Sequence, residues 1–282
     1  MKLYKTTSGV IISHNENLFR SSTTWDTLIN REKLYTYLLT EIKNLKSDSS
    51  ASSLLEGELL PPVGSQEVWA AGVTYFRSKE ARMDESKESG GATFYDKVYE
   101  ADRPELFFKS NPERVVGHGG YVHIRKDSTW NVPEPELALF INSNGNIVGY
   151  TIGNDMSSRS IEGENMLYLP QAKTYSRSAS LGPCLYVPDA PIPQNTTIAM
   201  EIIRSGKTMY KDSVQISQMK RKHTELAEWL YRELDFPSGC FLMTGTCLVP
   251  TSDFTLAVKD IVHITIDGIG KLTNTIEIRN KS

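Results

Sequence analysis

Val132-Pro133-Glu134-Pro135-Glu136-Leu137-Ala138-Leu139-Phe140-Ile141, then Asn142-Ser143-Asn144-Gly145-Asn146, then Ile147-Val148-Gly149-Tyr150-Thr151-Ile152-Gly153-Asn154-Asp155, reads as two apolar strands joined by a polar turn. Asn-Gly between apolar runs is a strong hairpin signal, because a type I′ turn needs positive φ at both central residues. With Asn144-Gly145 as a two-residue turn, Asp155 falls opposite Glu134 and Gly153 opposite Glu136. Side chains alternate faces along a strand, so Glu134, Glu136 and Asp155 share one face, with Gly153 leaving space beside Glu136. Three carboxylates in contact repel, and burial makes the repulsion worse unless a cation compensates. An oxygen-only donor set suits a hard ion, so the three acids predict a site for Mg²⁺, with Mn²⁺ or Ca²⁺ as alternatives, rather than zinc. The competing reading is a solvated acidic face, which the apolar flanks disfavour.

Working outward, 282 residues suffice for a large core, in one large domain or two smaller ones. A net charge of −3 with no basic run excludes an electrostatic nucleic-acid binder. Met1 to Ser13 lacks the apolar segment of a signal peptide, and no uninterrupted apolar stretch approaches a membrane span. Cys184, Cys240 and Cys247 are scattered without a disulfide or zinc spacing, and read as buried thiols of a reducing cytosol. A cytoplasmic protein without a membrane partner is therefore expected.

Short strands are expected around Lys2 to Ser13, and a helix from Asp26 to Leu45 on the spacing of Leu28, Leu34, Leu38 and Ile42. Ser47 to Ser53 is a serine-rich connector, and the chain divides into a small N-terminal α/β domain (1–62) and a main catalytic domain (63–282). The main domain opens on a buried strand, Val68 to Val73. The charged stretch Arg77 to Ala101, interrupted by Gly90-Gly91, reads either as a mobile lid or as an ordinary surface excursion. The remaining apolar runs are mostly short and punctuated by proline and glycine, which predicts an α+β, β-dominated fold rather than βαβ repeats. Ile216 to Leu234 is the one later helix expected.

Ala71-Gly72-Val73-Thr74-Tyr75, Phe107-Phe108-Lys109, Glu134-Pro135-Glu136-Leu137, the run Gly149 to Arg159, Lys173, and Thr244-Gly245-Thr246 together resemble the fumarylacetoacetate hydrolase superfamily, from about residue 66 to the C-terminus. The resemblance implies a mixed β-roll catalytic core, assembly as a homodimer or homotetramer, and Mg²⁺ or a similar ion on Glu134, Glu136 and Asp155. The stretches Tyr95 to Lys109, Val116-Gly117-His118-Gly119 and Glu164 to Lys173 look like the branch of 2-keto-3-deoxy-D-arabinonate dehydratases. That likeness implies metal-dependent conversion of 2-keto-3-deoxy-D-arabinonate to 2,5-dioxopentanoate in pentose catabolism, with a 2-keto acid as the only partner beyond the chain itself. Hydrolases and decarboxylases of the superfamily usually carry a water-activating His three residues after the Tyr of the Gly-x-x-Tyr segment. Ser78 stands there in this chain, which favours elimination.

Such a substrate chelates the ion through its carboxylate and ketone, and loses a C3 proton to a base and the C4 hydroxyl to an acid. The resemblance implies Lys173 and Glu105 as that pair, in an order the sequence leaves open; a surface ion pair is the alternative for each. Tyr75, Lys109, Arg159, Glu162 and Thr246 take substrate-binding positions, with a structural salt bridge equally open for Arg159 and a tight turn for Gly245-Thr246. His118 reads as a polar turn residue or as a catalytic imidazole on a flexible loop, and His14, His123, His223 and His263 share no spacing. Two rival activities remain: a hydrolase or decarboxylase of a 2,4-dioxo acid, with His118 or Glu80 replacing the missing base, and a non-catalytic protein that binds metal and a sugar acid.

Overall fold

The computed structural model describes residues 1–75 and 97–280. Ser78, Glu80 and the greater part of the candidate lid lie outside the described residues. Strands β1 (Lys2–Thr6), β2 (Gly9–His14) and β3 (Asn17–Ser21) form an antiparallel meander, followed by helices α1 (Trp25–Ile29), α2 (Leu34–Lys43) and α3 (Ser52–Gly57). The single helix expected from Asp26 to Leu45 is thus broken at Asn30 to Lys33, where Lys33 has a φ of 48°. The break serves a tertiary contact. Asn30 accepts from the Ser143 N–H at 2.8 Å, the Arg31 carbonyl accepts from the Asn142 amide at 3.2 Å, and Glu32 accepts from the amides of Asn144 and Asn146 at 2.8 Å each.

Next along the chain come β4 (Glu67–Gly72), β5 (Glu105–Ser110), β6 (Val115–Val116), β7 (Tyr121–Ile124), β8 (Asn131–Val132), β9 (Pro135–Ile141), β10 (Ile147–Asp155) and β11 (Ser157–Ser158). Helices α4 (Arg159–Glu164) and α5 (Leu169–Lys173) lead to β12 (Ala179–Tyr186), β13 (Thr197–Arg204) and β14 (Lys207–Gln215). The chain closes with α6 (His223–Tyr231), β15 (Cys240–Met243), β16 (Ile261–Ile266) and β17 (Gly270–Ile278). The helix expected from Ile216 is therefore confined to α6. Before it, Ile216–Gln218 forms one 3₁₀ turn, after which Met219 bridges to Tyr75 and the Lys220 N–H donates to the Thr74 carbonyl at 2.9 Å, contacts that separate the turn from the helix.

Among the described residues, ten strands form one sheet in the order β3-β2-β1-β12-β10-β9-β15-β4-β5, with β6 against β12. Five form a second sheet, β14-β13-β16-β17-β7. Both are mixed, since β15–β4, β12–β6 and β17–β7 pair in parallel and the rest antiparallel. The fold is the β-dominated α+β type expected. Strand β9 sits at its centre: Leu137, Leu139 and Ile141 join the apolar cluster shared with Val262, Ile264 and Leu272 of the second sheet. Ala138 and Phe140 face the other cluster, with Leu3, Leu28, Leu34 and Phe241. A strand covered on both faces reads as a continuous apolar run, which is why Leu137 to Ile141 shows no alternation.

The hairpin reaches its expected register by an unexpected route. Asn142 and Asn146 close a three-residue loop, with the Gly145 N–H on the Asn142 carbonyl at 2.9 Å and the Asn142 N–H on the Asn146 carbonyl at 2.9 Å. Gly145 alone has positive φ, 80°, so the turn is not the two-residue type I′. The longer loop offsets the pairing by one residue, and a bulge between Ile147 and Gly149 offsets it back. From Gly149 onward the pairs are those expected, with Gly153 opposite Glu136 and the Asp155 N–H on the Glu134 carbonyl at 2.9 Å.

Candidate active site

Glu134 just before β9, Glu136 within it and Asp155 at the end of β10 bring their carboxylate oxygens within 4.8 Å of one another. All three are buried, Glu136 and Asp155 to 1% exposure. Burial first, then the charges of Asp155 and Glu134, push the Glu136 carboxyl well above the usual carboxylate range, while Lys173 and the Gly245 N–H, 2.6 Å away, pull it down. The space that Gly153 leaves beside Glu136 is filled by Met243. A Cβ there would lie 3.1 Å from Met243 Cγ, so the glycine admits the Met243 side chain.

Three cations converge on the acids from separate elements. Lys173, the last residue of α5, places Nζ 2.6 Å from Glu134 Oε2, 2.6 Å from Ser157 Oγ, 3.2 Å from Glu162 Oε1 and 3.3 Å from Asp155 Oδ2. Arg159 opens α4, which Ser158 caps through the Ile161 N–H; its guanidinium bonds Glu134 and lies 3.6 Å from Glu162. Lys109, towards the end of β5, bonds Asp155 and the backbone carbonyls of Met156 (2.9 Å) and Lys173. Burial lowers the Lys109 pKa, against the pull of Asp155. Counted by their formal charges, four buried acids (Glu134, Glu136, Asp155, Glu162) face three buried basic groups, one more acid than base.

Ala71, Gly72, Val73, Phe107, Gly245 and Thr246 complete a cleft over this cluster. Glu105 pairs with Gly72 across β4–β5, and a Cβ on Gly72 would overlap the Glu105 carboxylate, so the glycine lets that acid pack directly against a residue of the cleft lining. Glu105 and Phe107 share one face of β5, Lys109 is the extra residue of a bulge opposite Val68 and Trp69, and the Phe107 ring centroid stands 5.8 Å from Lys173 Nζ. Thr246 lines the cleft, and its hydroxyl accepts from the Leu248 N–H at 3.2 Å. Tyr75 is buried close enough to Cys247 and Glu136 that their charges add to burial in raising its pKa. Lys109 and Glu162 stand behind the cleft wall rather than on it. His118 is apart from the cluster, its Nδ1 accepting the Thr273 N–H at 3.2 Å. Sequence reasoning did not single out Ser157 or Phe107. Strand alternation from Asp155 and from Glu105 was the available signal.

The donor set fits a hard divalent cation: carboxylate oxygens only, buried, clustered, and within a group holding one more acid than base.

Residues 68–277 match the family described as Fumarylacetoacetate (FAA) hydrolase C-terminal. A protein of Haloferax volcanii named probable 2-keto-3-deoxyxylonate dehydratase is 49% identical over 216 residues, 76% of this chain and 73% of that one. The 2-dehydro-3-deoxy-D-arabinonate dehydratase of Saccharolobus solfataricus is 43% identical over 222 residues, 78% of this chain and 74% of its own. A solved structure of 2-keto-3-deoxy-D-arabinonate dehydratase complexed with magnesium and 2,5-dioxopentanoate superposes with a TM-score of 0.84 at 36% identity, over 100% of both chains.

Proposed function

The chain belongs to the fumarylacetoacetate hydrolase family, and from that premise we propose that it is a metal-dependent hydro-lyase, converting 2-keto-3-deoxy-D-arabinonate or a close sugar acid to 2,5-dioxopentanoate. The observation that carries this reading is Lys173 Nζ set among Glu134, Asp155 and Glu162, with the Glu105 carboxylate packed against Gly72 of the same cleft's lining. A hard divalent ion on Glu134, Glu136 and Asp155 supplies Lewis acidity toward the carboxylate and C2 ketone of a keto acid. As the free amine, Lys173 takes the C3 proton, and Glu162 and Ser157 hold its Nζ in place. Glu105 gives a proton to the C4 oxygen as the C4–O bond breaks and water leaves. Loss of a C5 proton with return of one to C3 leaves a C4=C5 enol, and a proton gained at C4 with loss of the enol O–H proton then gives the aldehyde at C5. Arg159 holds Glu134 in position, and Lys109 does the same for Asp155. Tyr75 and Thr246 bound the space in which the substrate lies.

Among the described residues no histidine lines the cleft, which supports elimination over hydrolysis of a 2,4-dioxo acid. In the same reading the enzyme serves pentose catabolism as a cytoplasmic homo-oligomer; three free, buried cysteines accord with a reducing compartment. Among the described residues no helix is long and apolar enough to cross a membrane.

The test is a dehydration assay on 2-keto-3-deoxypentonate with Mg²⁺, following 2,5-dioxopentanoate through a coupled NAD(P)⁺-dependent dehydrogenase. Turnover that stops with EDTA and returns with Mg²⁺ is expected. Turnover of 2,4-dioxo acids alone, or tight binding of keto acids with no turnover, would overturn the reading. Solvent-deuterium exchange at C3 separates the two roles: a Glu105→Gln variant retains exchange and a Lys173→Ala variant loses it.

A further inference from the structure

Seven non-glycine residues among those described have positive φ. Six are polar and exposed, as turn residues usually are. The seventh is Val73, β-branched, 5% exposed, with a φ of 53°. A branched side chain in the left-handed region is a true outlier, and such strain persists only where the surroundings over-determine it. Here they do. Before Val73, Gly72 is pinned across from Glu105 in the β4–β5 ladder. After it, Thr74 donates its hydroxyl to the Thr244 carbonyl at 2.7 Å and accepts the Lys220 N–H at 2.9 Å. A Cβ on Gly245 would overlap the Thr74 hydroxyl, so the two loops interlock through that glycine.

The strain is not spent on core packing. Ala71 and Tyr75, on either side, belong to the inter-sheet apolar cluster, and Ala71 lines the cleft as well, whereas Val73 lines the cleft and belongs to neither cluster. The Glu105 carboxylate, the group assigned to the C4 oxygen, packs against the neighbouring Gly72, so Val73 lines the cleft one residue along the chain from that contact.

We propose that Val73 is a specificity-determining residue: its left-handed backbone presents an isopropyl wall that ends the cleft at a five-carbon keto acid. This rests on the dehydration reading and on Glu105 acting at C4. A sixth carbon with its hydroxyl meets a rigid apolar surface, where it clashes and loses its water without gaining a partner.

The experiment compares kcat/KM for the five- and six-carbon 2-keto-3-deoxy acids in the full-length, Mg²⁺-loaded enzyme. Val73→Gly and Val73→Ala should raise the six-to-five ratio by about tenfold or more, the scale of one chain carbon in a fitted pocket. Val73→Thr, which keeps the shape but offers a hydroxyl, should raise the ratio less than either truncated variant. An unchanged ratio in both truncated variants overturns the proposal. Strain is read separately by thermal unfolding. Val73→Gly should unfold within about 2 °C of the wild type, whereas Val68→Ala, a smaller deletion in extended backbone inside a core cluster, should lose roughly 5 °C. A Val73→Gly loss as large as that of Val68→Ala refutes the strained wall. Mg²⁺-dependent thermal shifts with 2-oxobutanoate, 2-oxopentanoate and 2-oxohexanoate probe the length limit without catalysis. A limit that moves in Val73→Gly supports the wall even if the wild type dehydrates neither sugar acid, which would sink the dehydration reading alone.

Discussion

The β9–β10 hairpin ends in two very different polar structures. At its turn, Asn142, Asn144 and Asn146 bind the broken segment between α1 and α2 through amides, backbone groups and the exposed Glu32 carboxylate. At its other end, Glu134, Glu136 and Asp155 are buried against Lys109, Arg159, Lys173 and Glu162. Hydrogen bonds of the first kind contribute about 1 kcal/mol each and fail gracefully, because water replaces a lost partner. Charges of the second kind depend on one another, since removing one partner leaves an uncompensated ion in a low-dielectric site. One ribbon therefore carries a stabilising end and a chemical end, and substitutions at the two should separate stability from activity.

The largest effect expected is at the chemical end. Lys173→Ala should lower kcat by on the order of 10²–10⁴-fold, with Mg²⁺ affinity largely retained. The metal-free variant should also be destabilised by about 3–5 kcal/mol, recovered in part by Mg²⁺; calorimetry with and without the ion reads both. Normal turnover in this variant would remove Lys173 from the chemistry. Glu136→Gln should lose metal affinity and activity together, by on the order of 10²–10³-fold in kcat/KM, measured by isothermal titration and by the coupled assay.

The turn end should behave oppositely. Gly145→Ala meets no obstruction beyond ordinary contact with Tyr231 at 3.5 Å, so only the positive φ opposes it. It should cost about 1 kcal/mol in urea unfolding with kcat/KM unchanged. A loss of activity there would show that the two ends are coupled.

The smallest effect is a pH dependence beside the turn. His223 lines one cleft with Gly145 and Asn146, and burial lowers its pKa from the ordinary 6.5 to about 4. The unfolded chain then binds the extra proton first, so the contribution is complete above about pH 6.5 and is lost as pH falls towards 4. Because the ring is partly exposed, the effect should be of the order of 1 kcal/mol, and His223→Gln should flatten the stability profile in that window.

Much of the hairpin was legible because strand alternation and turn chemistry are local. Glu134, Glu136 and Asp155 share a face by parity, and two apolar runs around Asn-Gly announce a hairpin whatever packs on it. The register was legible only in part. The three-residue loop and the bulge after Ile147 each depart from the simplest pairing by one residue, and the agreement at Gly153 and Glu136 comes from their cancellation. The helix break at Asn30 to Lys33 was invisible, because the apolar spacing of Leu28, Leu34, Leu38 and Ile42 stays helical while the break is stabilised by a turn more than a hundred residues away.

Parity along β9 and β10 was enough to assemble an acidic cluster and to ask for a hard cation, since those side-chain directions follow from the backbone itself. Where Lys109, Ser157, Arg159 and Lys173 meet those acids, why Met243 fills the space beside Glu136, and why Val73 is held left-handed were settled only by packing. These arrangements join β4, β5, α5 and β15 across long stretches of chain, and no local preference encodes which loops will interlock.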